Sequence, residues 1–187
     1  MLCSWDKYVS KRDRETIRRI DEHENRLVSL YEEYYDKLVR YVYVHIGNRE
    51  EAEDIAGEVF LKALKALRSG QEQGMPTQWW LFRIAHNLIV DYIRKTSKHG
   101  PIPSDSVVLL AEDDPADTAE KKIGVEGVIE AMKQLTAEQR QVVSLRFFGG
   151  LTSKEVGDVL GKSDGAVREM QRAALEKLRG IMGAENE

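Results

Sequence analysis

Apolar and polar positions alternate along this chain with helical periods almost throughout. Leu27, Leu30, Tyr31, Tyr34, Leu38, Tyr41 and Val42 recur at three- and four-residue spacing, which predicts an amphipathic helix from about 25 to 45. Gly47 stops it, and Asn48 with Glu51 three residues on reads as the cap of a second helix. That helix turns Ala52, Ile55, Ala56, Val59, Phe60, Ala63, Leu64 and Leu67 inward and Glu51, Asp54, Glu58 and Lys62 outward. A Gly- and Pro-containing loop over 68–76 follows, and Thr77 caps the next helix. This third helix, Trp79 to Lys95, inverts the usual pattern. Apolar residues cover well over half of its circumference, and Arg83, His86, Asn87 and Arg94 share a narrow polar line with Val90 inside it and Asp91 at its edge. Such a helix is expected to pack on two sides and to stay exposed along one line.

The second half repeats the helical period after a break. Lys98 to Pro103 ends the third helix, and 104–126 holds seven acids against Lys121 and Lys122, an acidic linker. Val125, Val128, Ile129, Met132 and Leu135 mark a further helix. Thr136 with Gln139 forms a capping box for the next, which carries Val142, Val143, Leu145 and Phe147 and ends at Gly149-Gly150. Thr152 with Glu155 caps a short helix that runs to Leu160. Gly161 turns the chain, and Ser163 caps a last helix to about Ile181, buried along Val167, Met170, Ala174 and Leu178. The expected fold is all-α. An N-terminal extension covers 1–22 and is read either as a short helix or as an unstructured tail. A helical domain over 23–98 follows, then the linker over 99–120 and a second helical domain over 121–183.

Composition narrows the function classes. The chain has 187 residues, 42% hydrophobic and 32% charged, and a net charge of −4, which excludes a uniformly basic nucleic-acid coat but allows a basic stripe. Its one cysteine, Cys3, makes neither an internal disulfide nor a thiolate metal site. His23, His45, His86 and His99 lack metal-site spacing, and no metal or cofactor is expected. No run is apolar enough to span a bilayer and the start does not resemble a signal peptide, so a cytoplasmic protein without direct membrane insertion is expected. There is no phosphate-cradling glycine loop and no nucleophile elbow, and nothing supports catalysis.

The chemistry lies in two stripes. The short helix, the Gly161 turn and the last helix have the spacing of a helix-turn-helix, with Asp164, Arg168, Arg172 and Arg179 on the outer face beside Glu169. Arg168 and Arg172 are candidates for bidentate pairing with guanine, and Glu169 for accepting from cytosine amino groups. A surface helix with solvated arginines is the plainer alternative. On the third helix, Arg83, Asn87 and Arg94 suit a nucleic-acid strand and Trp79 a stacked base, whereas Trp80 belongs to the core. The plainer alternative there is a solvated face, with Asp91 paired to Arg94 or Lys95. Asp54 and Glu58 taken alone read as a solvated helix face.

Together the two halves resemble the sigma-70 family of bacterial RNA polymerase sigma factors, in its extracytoplasmic-function (ECF) group. Region 2 of that family is resembled over about Leu27 to Lys98, with motifs at Glu53 to Phe60 and at Trp80 to Arg94. Region 4 is resembled over about Val128 to Arg179, at Leu135 to Arg140, Leu145 to Phe147, Leu151 to Gly161, Gly165 to Arg168 and Ala174 to Arg179. The resemblance implies that Asp54, Glu58 and Phe60 dock on core RNA polymerase at the clamp helices of its largest subunit. It implies that the loop over 69–77 holds a flipped base of the −10 element, and that Trp79, Arg83, Asn87, Arg94 and Lys95 hold the adjacent single strand. Thr152, Lys154, Ser163, Arg168, Glu169 and Arg172 would read the −35 element as duplex promoter DNA. The linker would thread toward the polymerase active site, and an anti-sigma factor would hold the protein inactive. Gly57 stands where the family often has Gln, His86 where Arg is common, and Glu169 and Ala173 where polar or basic residues are usual. The rival function is a stand-alone helix-turn-helix regulator with a ligand-sensing or dimerising first domain.

Overall fold

The computed structural model describes residues 11–69, 77–96 and 127–184. The predicted linker over 99–120 and most of the base-holding loop lie outside the described residues. So do the first ten residues of the extension. Among the described residues there are seven helices and no strand, as the apolar periods predict. They are α1 (Lys11–Ile46), α2 (Arg49–Arg68), α3 (Gln78–Thr96), α4 (described over 127–133), α5 (Ala137–Phe147), α6 (Ser153–Leu160) and α7 (Asp164–Ala184).

α1 differs from expectation. It begins at Lys11 rather than near 25 and runs unbroken through the predicted extension. Its sequence contains no Gly or Pro, so nothing forces a stop before Gly47. A contact to the end of α2 supports this longer helix, where Arg68 Nε donates to Glu24 Oε1 at 2.8 Å. Tyr31, expected inward, is 46% exposed, although its ring still lies 4.9 Å from that of Phe60. The seven apolar positions are spread too widely for one buried arc to hold them all.

α1, α2 and α3 enclose the first core, in which Leu30, Leu38, Tyr41, Val42, Val59, Leu81 and Phe82 are fully buried. The Phe82 ring packs edge-on against Tyr41 at 5.3 Å and Tyr34 at 6.2 Å. α4 to α7 enclose the second core around Met132, Val142, Leu145, Leu151, Val156, Val167 and Ala174. Both predicted capping boxes form, at Thr136–Gln139 and Thr152–Glu155. The last carbonyls of α4 and one in the turn after it find a donor on α5. The Arg140 guanidinium donates to the carbonyls of Met132 at 3.0 Å, Lys133 at 2.7 Å and Leu135 at 3.3 Å. Phe147, expected on the buried stripe of α5, is instead 63% exposed. It lies at the lip of an apolar groove of about 570 Å³ lined by Val128, Met132, Val143, Leu175 and Met182, a volume the described chain does not fill.

The turn between α6 and α7 rests on two glycines. Gly161 takes a left-handed φ of +65° and closes α6, which a β-carbon would strain. Gly157 lets the chain double back: its carbonyl accepts from the Lys162 amide at 2.9 Å, and a Cβ there would fall 2.5 Å from the Lys162 carbonyl oxygen. Backbone cannot yield as a flexible side chain does. Gly157→Ala should therefore lower the stability of the second domain by about 1–3 kcal/mol, read as a loss of thermal midpoint by calorimetry. An unchanged midpoint would mean that the α6–α7 turn relaxes freely.

The two domains touch. α5 packs on α1, and α6 packs on the start of α3. At this seam His45 Nε2 lies 3.0 Å from Ser144 Oγ, and Trp79 Nε1 donates to the Glu155 carbonyl at 3.3 Å. Gly149 packs close to the Phe82 ring.

Candidate nucleic-acid interface

α3 places its side chains as its inverted pattern predicts. Trp80, Leu81, Phe82, Ala85 and Ile89 are buried, while Arg83, Asn87, Arg94 and Lys95 are exposed. Positions 83, 87, 90 and 94 succeed one another by three or four residues, so they form one line along the helix. Val90 and Ile93, 45% and 40% exposed, add apolar surface to it that suits base faces and thymine methyl groups. Arg94 is paired to Asp91 at 2.8 Å. The Arg83 guanidinium lies over the Trp79 ring at 5.1 Å, holding an aromatic face and a cation together at the start of the line.

Two residues depart from the expected layout. Trp79 is half-buried, with its indole N–H committed to the carbonyl of Glu155 in the other domain. His86 does not stand free on the polar line. It is half-buried, its Nδ1 faces the Tyr41 hydroxyl at 3.5 Å, and burial lowers its pKa. It is therefore neutral near pH 7, a bridge into the core rather than a titrating contact. Burial likewise raises the pKa of the Tyr41 phenol, which stays protonated.

In the helix-turn-helix, the hydroxyls of Thr152 and Ser163 cap helices. Thr152 Oγ1 accepts from the Glu155 amide at 3.3 Å, and Ser163 Oγ accepts from the Ala166 amide at 3.2 Å. Both residues are exposed at helix N-termini, where backbone N–H groups and the helix dipole favour phosphate. Lys154 is exposed beside them. On α7, Arg168 pairs with Asp164 one turn back and Arg172 with Glu169 at 2.7 Å. The two arginine side chains are 67% and 77% exposed, and pairs this open hold their partners weakly.

The third group lies on α2. Asp54 and Glu58 are exposed, with Glu58 3.3 Å from Lys62. Phe60 is only 8% exposed and packs beneath Tyr31 and Tyr35, so it offers support more than contact. Sequence reasoning missed the apolar part of this face: Val28 and Leu61 are 59% and 58% exposed and join Tyr31 there. Leu61 carried a signal, since it falls off the inward arc of α2. A Cβ at Gly57 would meet nothing within 4 Å, so packing does not exclude the Gln common at that position in sigma factors. Among the described residues no helix is long and apolar enough to cross a membrane, and no group of His, Cys, Asp or Glu is placed to hold a metal ion.

The family models for sigma-70 region 2 and sigma-70 region 4 match residues 30–99 and 131–180. The ECF RNA polymerase sigma factor BldN of Streptomyces coelicolor is 30% identical over 155 residues, covering 82% of this chain and 59% of BldN. ShbA of Streptomyces griseus, also an ECF RNA polymerase sigma factor, is 33% identical over 138 residues, covering 71% of this chain and 72% of ShbA. Among solved structures, the sigma factor RpoE of Bartonella quintana, in complex with the anti-sigma factor NepR, aligns with a TM-score of 0.63 at 17% identity over 80% of this chain and 92% of RpoE. CnrH, in complex with the cytosolic domain of CnrY, aligns with a TM-score of 0.62 at 19% identity over 90% of this chain and 95% of CnrH. Those two share the all-helical fold. With both regions matched in order along one chain, and a relative of 33% identity covered over 72% of its length, the protein belongs to the sigma-70 family of RNA polymerase sigma factors, in its extracytoplasmic-function group.

Proposed function

We propose that this chain is a promoter-specificity factor: it binds core RNA polymerase, reads the −35 and −10 elements and helps to melt the promoter. The observation that carries this reading is the pairing, in one chain, of the α3 line with the α6–α7 helix-turn-helix, each inside a matched sigma region. On α3, Trp79, Arg83, Asn87, Arg94 and Lys95 hold the single strand of the −10 element, and Val90 and Ile93 lie under its bases. On the second domain, Arg168, Glu169 and Arg172 read −35 base edges, while Thr152, Lys154 and Ser163 hold phosphates. Asp54 and Glu58, with Tyr31 and Leu61 beside them, form the polymerase-binding face. The chain supplies no bond-making chemistry of its own. Unstacking promoter DNA costs a few kcal/mol per step, and stacking on one aromatic side chain returns about 1–3 kcal/mol per base. Opening therefore draws on polymerase, and the place of action is the cytoplasm. RpoE, of the same fold, is solved with the anti-sigma factor NepR, and a protein of that kind is the inhibitory partner proposed here.

The test is run-off transcription from genomic templates with core polymerase. Promoter-dependent product is expected, and its absence together with absent core binding would overturn the reading. A stand-alone regulator would instead bind duplex DNA tightly without polymerase. Two substitutions separate the faces. Asn87→Ala should lower open-complex formation about three- to tenfold, the loss of one or two side-chain hydrogen bonds, with core binding unchanged. Asp54→Ala should lower core affinity about tenfold and leave opening by saturated holoenzyme intact. If both variants impair the same step equally, the two faces are wrongly assigned.

A further inference from the structure

The seam between the domains carries an inference that rests on the promoter-reading assignment above. Trp79 of the −10 line and Glu155 of the helix-turn-helix are joined by a 3.3 Å hydrogen bond. The elements they would read are centred roughly 25 base pairs apart, about 85 Å at 3.4 Å per base pair. A chain in this closed form cannot read both at once.

The centre of the seam is polar. Ser144 is fully buried and is the one polar residue among the described core positions. Its hydroxyl donates to the Gln141 carbonyl at 3.2 Å, so its oxygen is left to accept from His45 Nε2–H at 3.0 Å. With the hydroxyl proton placed on the Gln141 carbonyl, His45 Nδ1 is the basic nitrogen. We propose that His45 and Ser144 form a proton-sensitive latch, which holds the two domains closed at neutral pH and releases them on acidification.

The groups around His45 make a charged ring unwelcome in the closed form. Its own helix presents the neutral Tyr41 ring, edge-on at 5.0 Å. α3 presents His86, and α5 presents Ser144 and the Arg140 cation. Burial first, then Arg140 and His86, lower the His45 pKa to about 3. Among the described residues no carboxylate acts on it in the opposite direction. Opening removes Arg140 and Ser144 and lets water reach His45 in the last turn of α1, where the helix dipole favours a cation, so its pKa returns toward the ordinary 6.5. The sign follows: the open form binds the extra proton, so the closed form is fully stable above about pH 6.5 and loses stability as pH falls below it. Between pH 7.5 and 5.5 the open-to-closed ratio should rise about tenfold.

The experiment uses the full chain with Cys3→Ser and spin labels at Lys65→Cys and Gly180→Cys, both exposed and outside the reading faces. Pulsed electron paramagnetic resonance then measures the interdomain distance without polymerase or DNA. A short distance at pH 7.5 that gives way about tenfold toward long distances at pH 5.5 is expected. His45→Gln, which keeps a neutral donor, should stay closed at both pH values. Ser144→Ala, which removes the acceptor, should populate the long distances already at pH 7.5. No short distance at pH 7.5, no pH response, or a wild-type response in His45→Gln would each overturn the latch. Because these distances are read on the chain alone, failure here is distinct from failure of the run-off assay, which tests the sigma-factor reading itself.

Discussion

Phe82→Ala lowers the stability of the chain by about 3–5 kcal/mol, the expected loss for a wholly buried aromatic cut back to a methyl. The ring has no exposed surface and packs against Tyr41 and Tyr34, both on α1, so its removal leaves a hole between α1 and α3. A loss of that size is a large part of the total 5–15 kcal/mol that holds a typical domain folded. It also undermines function indirectly, because the α3 line keeps its straight exposed edge only while its opposite side is anchored. The measurement is urea denaturation followed by far-ultraviolet circular dichroism, with Phe82→Leu as the control that keeps most of the volume and costs about 1 kcal/mol. A loss below about 1 kcal/mol for Phe82→Ala would mean that the first core closes over the gap and that α3 is not anchored at this ring.

Most of the fold was legible because its determinants are local. Thr136 with Gln139, Thr152 with Glu155, and Gly161 each act within four residues, and each cap and the turn formed where the sequence places them. The inverted pattern of α3 was legible for the same reason, since a mostly apolar helix can be satisfied only by neighbours on two sides. What local pattern cannot say is which apolar side chain runs out of neighbours. Tyr31 and Phe147 sit at spacings as good as those of Tyr34 and Val143, yet lie at the exposed end of their arcs, beside an open face and an open groove. Nor does periodicity report where α1 begins, because charged residues without Gly or Pro propagate a helix whether or not it has a core to cover.

The candidate site was legible by residue type and face, whereas the seam left only one faint signal. His45 and Ser144 are 99 positions apart and each looks ordinary in its own helix: a histidine in a last turn and a serine in the middle of an apolar run. The signal that existed was the second of these. Ser144 stands between Val143 and Leu145 in the one apolar run of its helix, and a buried hydroxyl demands a partner. His86 was misplaced on the exposed line for a related reason. Its wheel position lies on the border of the arc, and the pull toward a buried Tyr41 hydroxyl 45 residues away decides its direction.

Replacing both Arg168 and Arg172 with Ala should reduce −35-dependent transcription by 100-fold or more. Each arginine matched bidentately to a guanine contributes about 1–3 kcal/mol of discrimination, so two together exceed the effect of any single substitution on the α3 line. Their present partners do not stand in the way. Asp164 and Glu169 hold them in solvent-exposed pairs, which are weaker than a bidentate base contact. Folding should be unaffected, since both side chains are more than two-thirds exposed, and an unchanged thermal midpoint is the control. Arg168→Lys and Arg172→Lys decide how the side chains bind. Lysine keeps the charge but lacks the planar fork, so it should rescue little if the arginines read bases and nearly everything if they hold phosphates. The salt dependence of promoter binding gives the same answer independently. Where an arginine holds a phosphate, its replacement by alanine lowers the slope of log affinity against log salt by about one. Where it reads a base, the same replacement weakens the correct promoter far more than a scrambled one. Full rescue by lysine with a uniform weakening across sequences would assign both residues to the backbone and leave Glu169 as the base-reading residue on this face of α7.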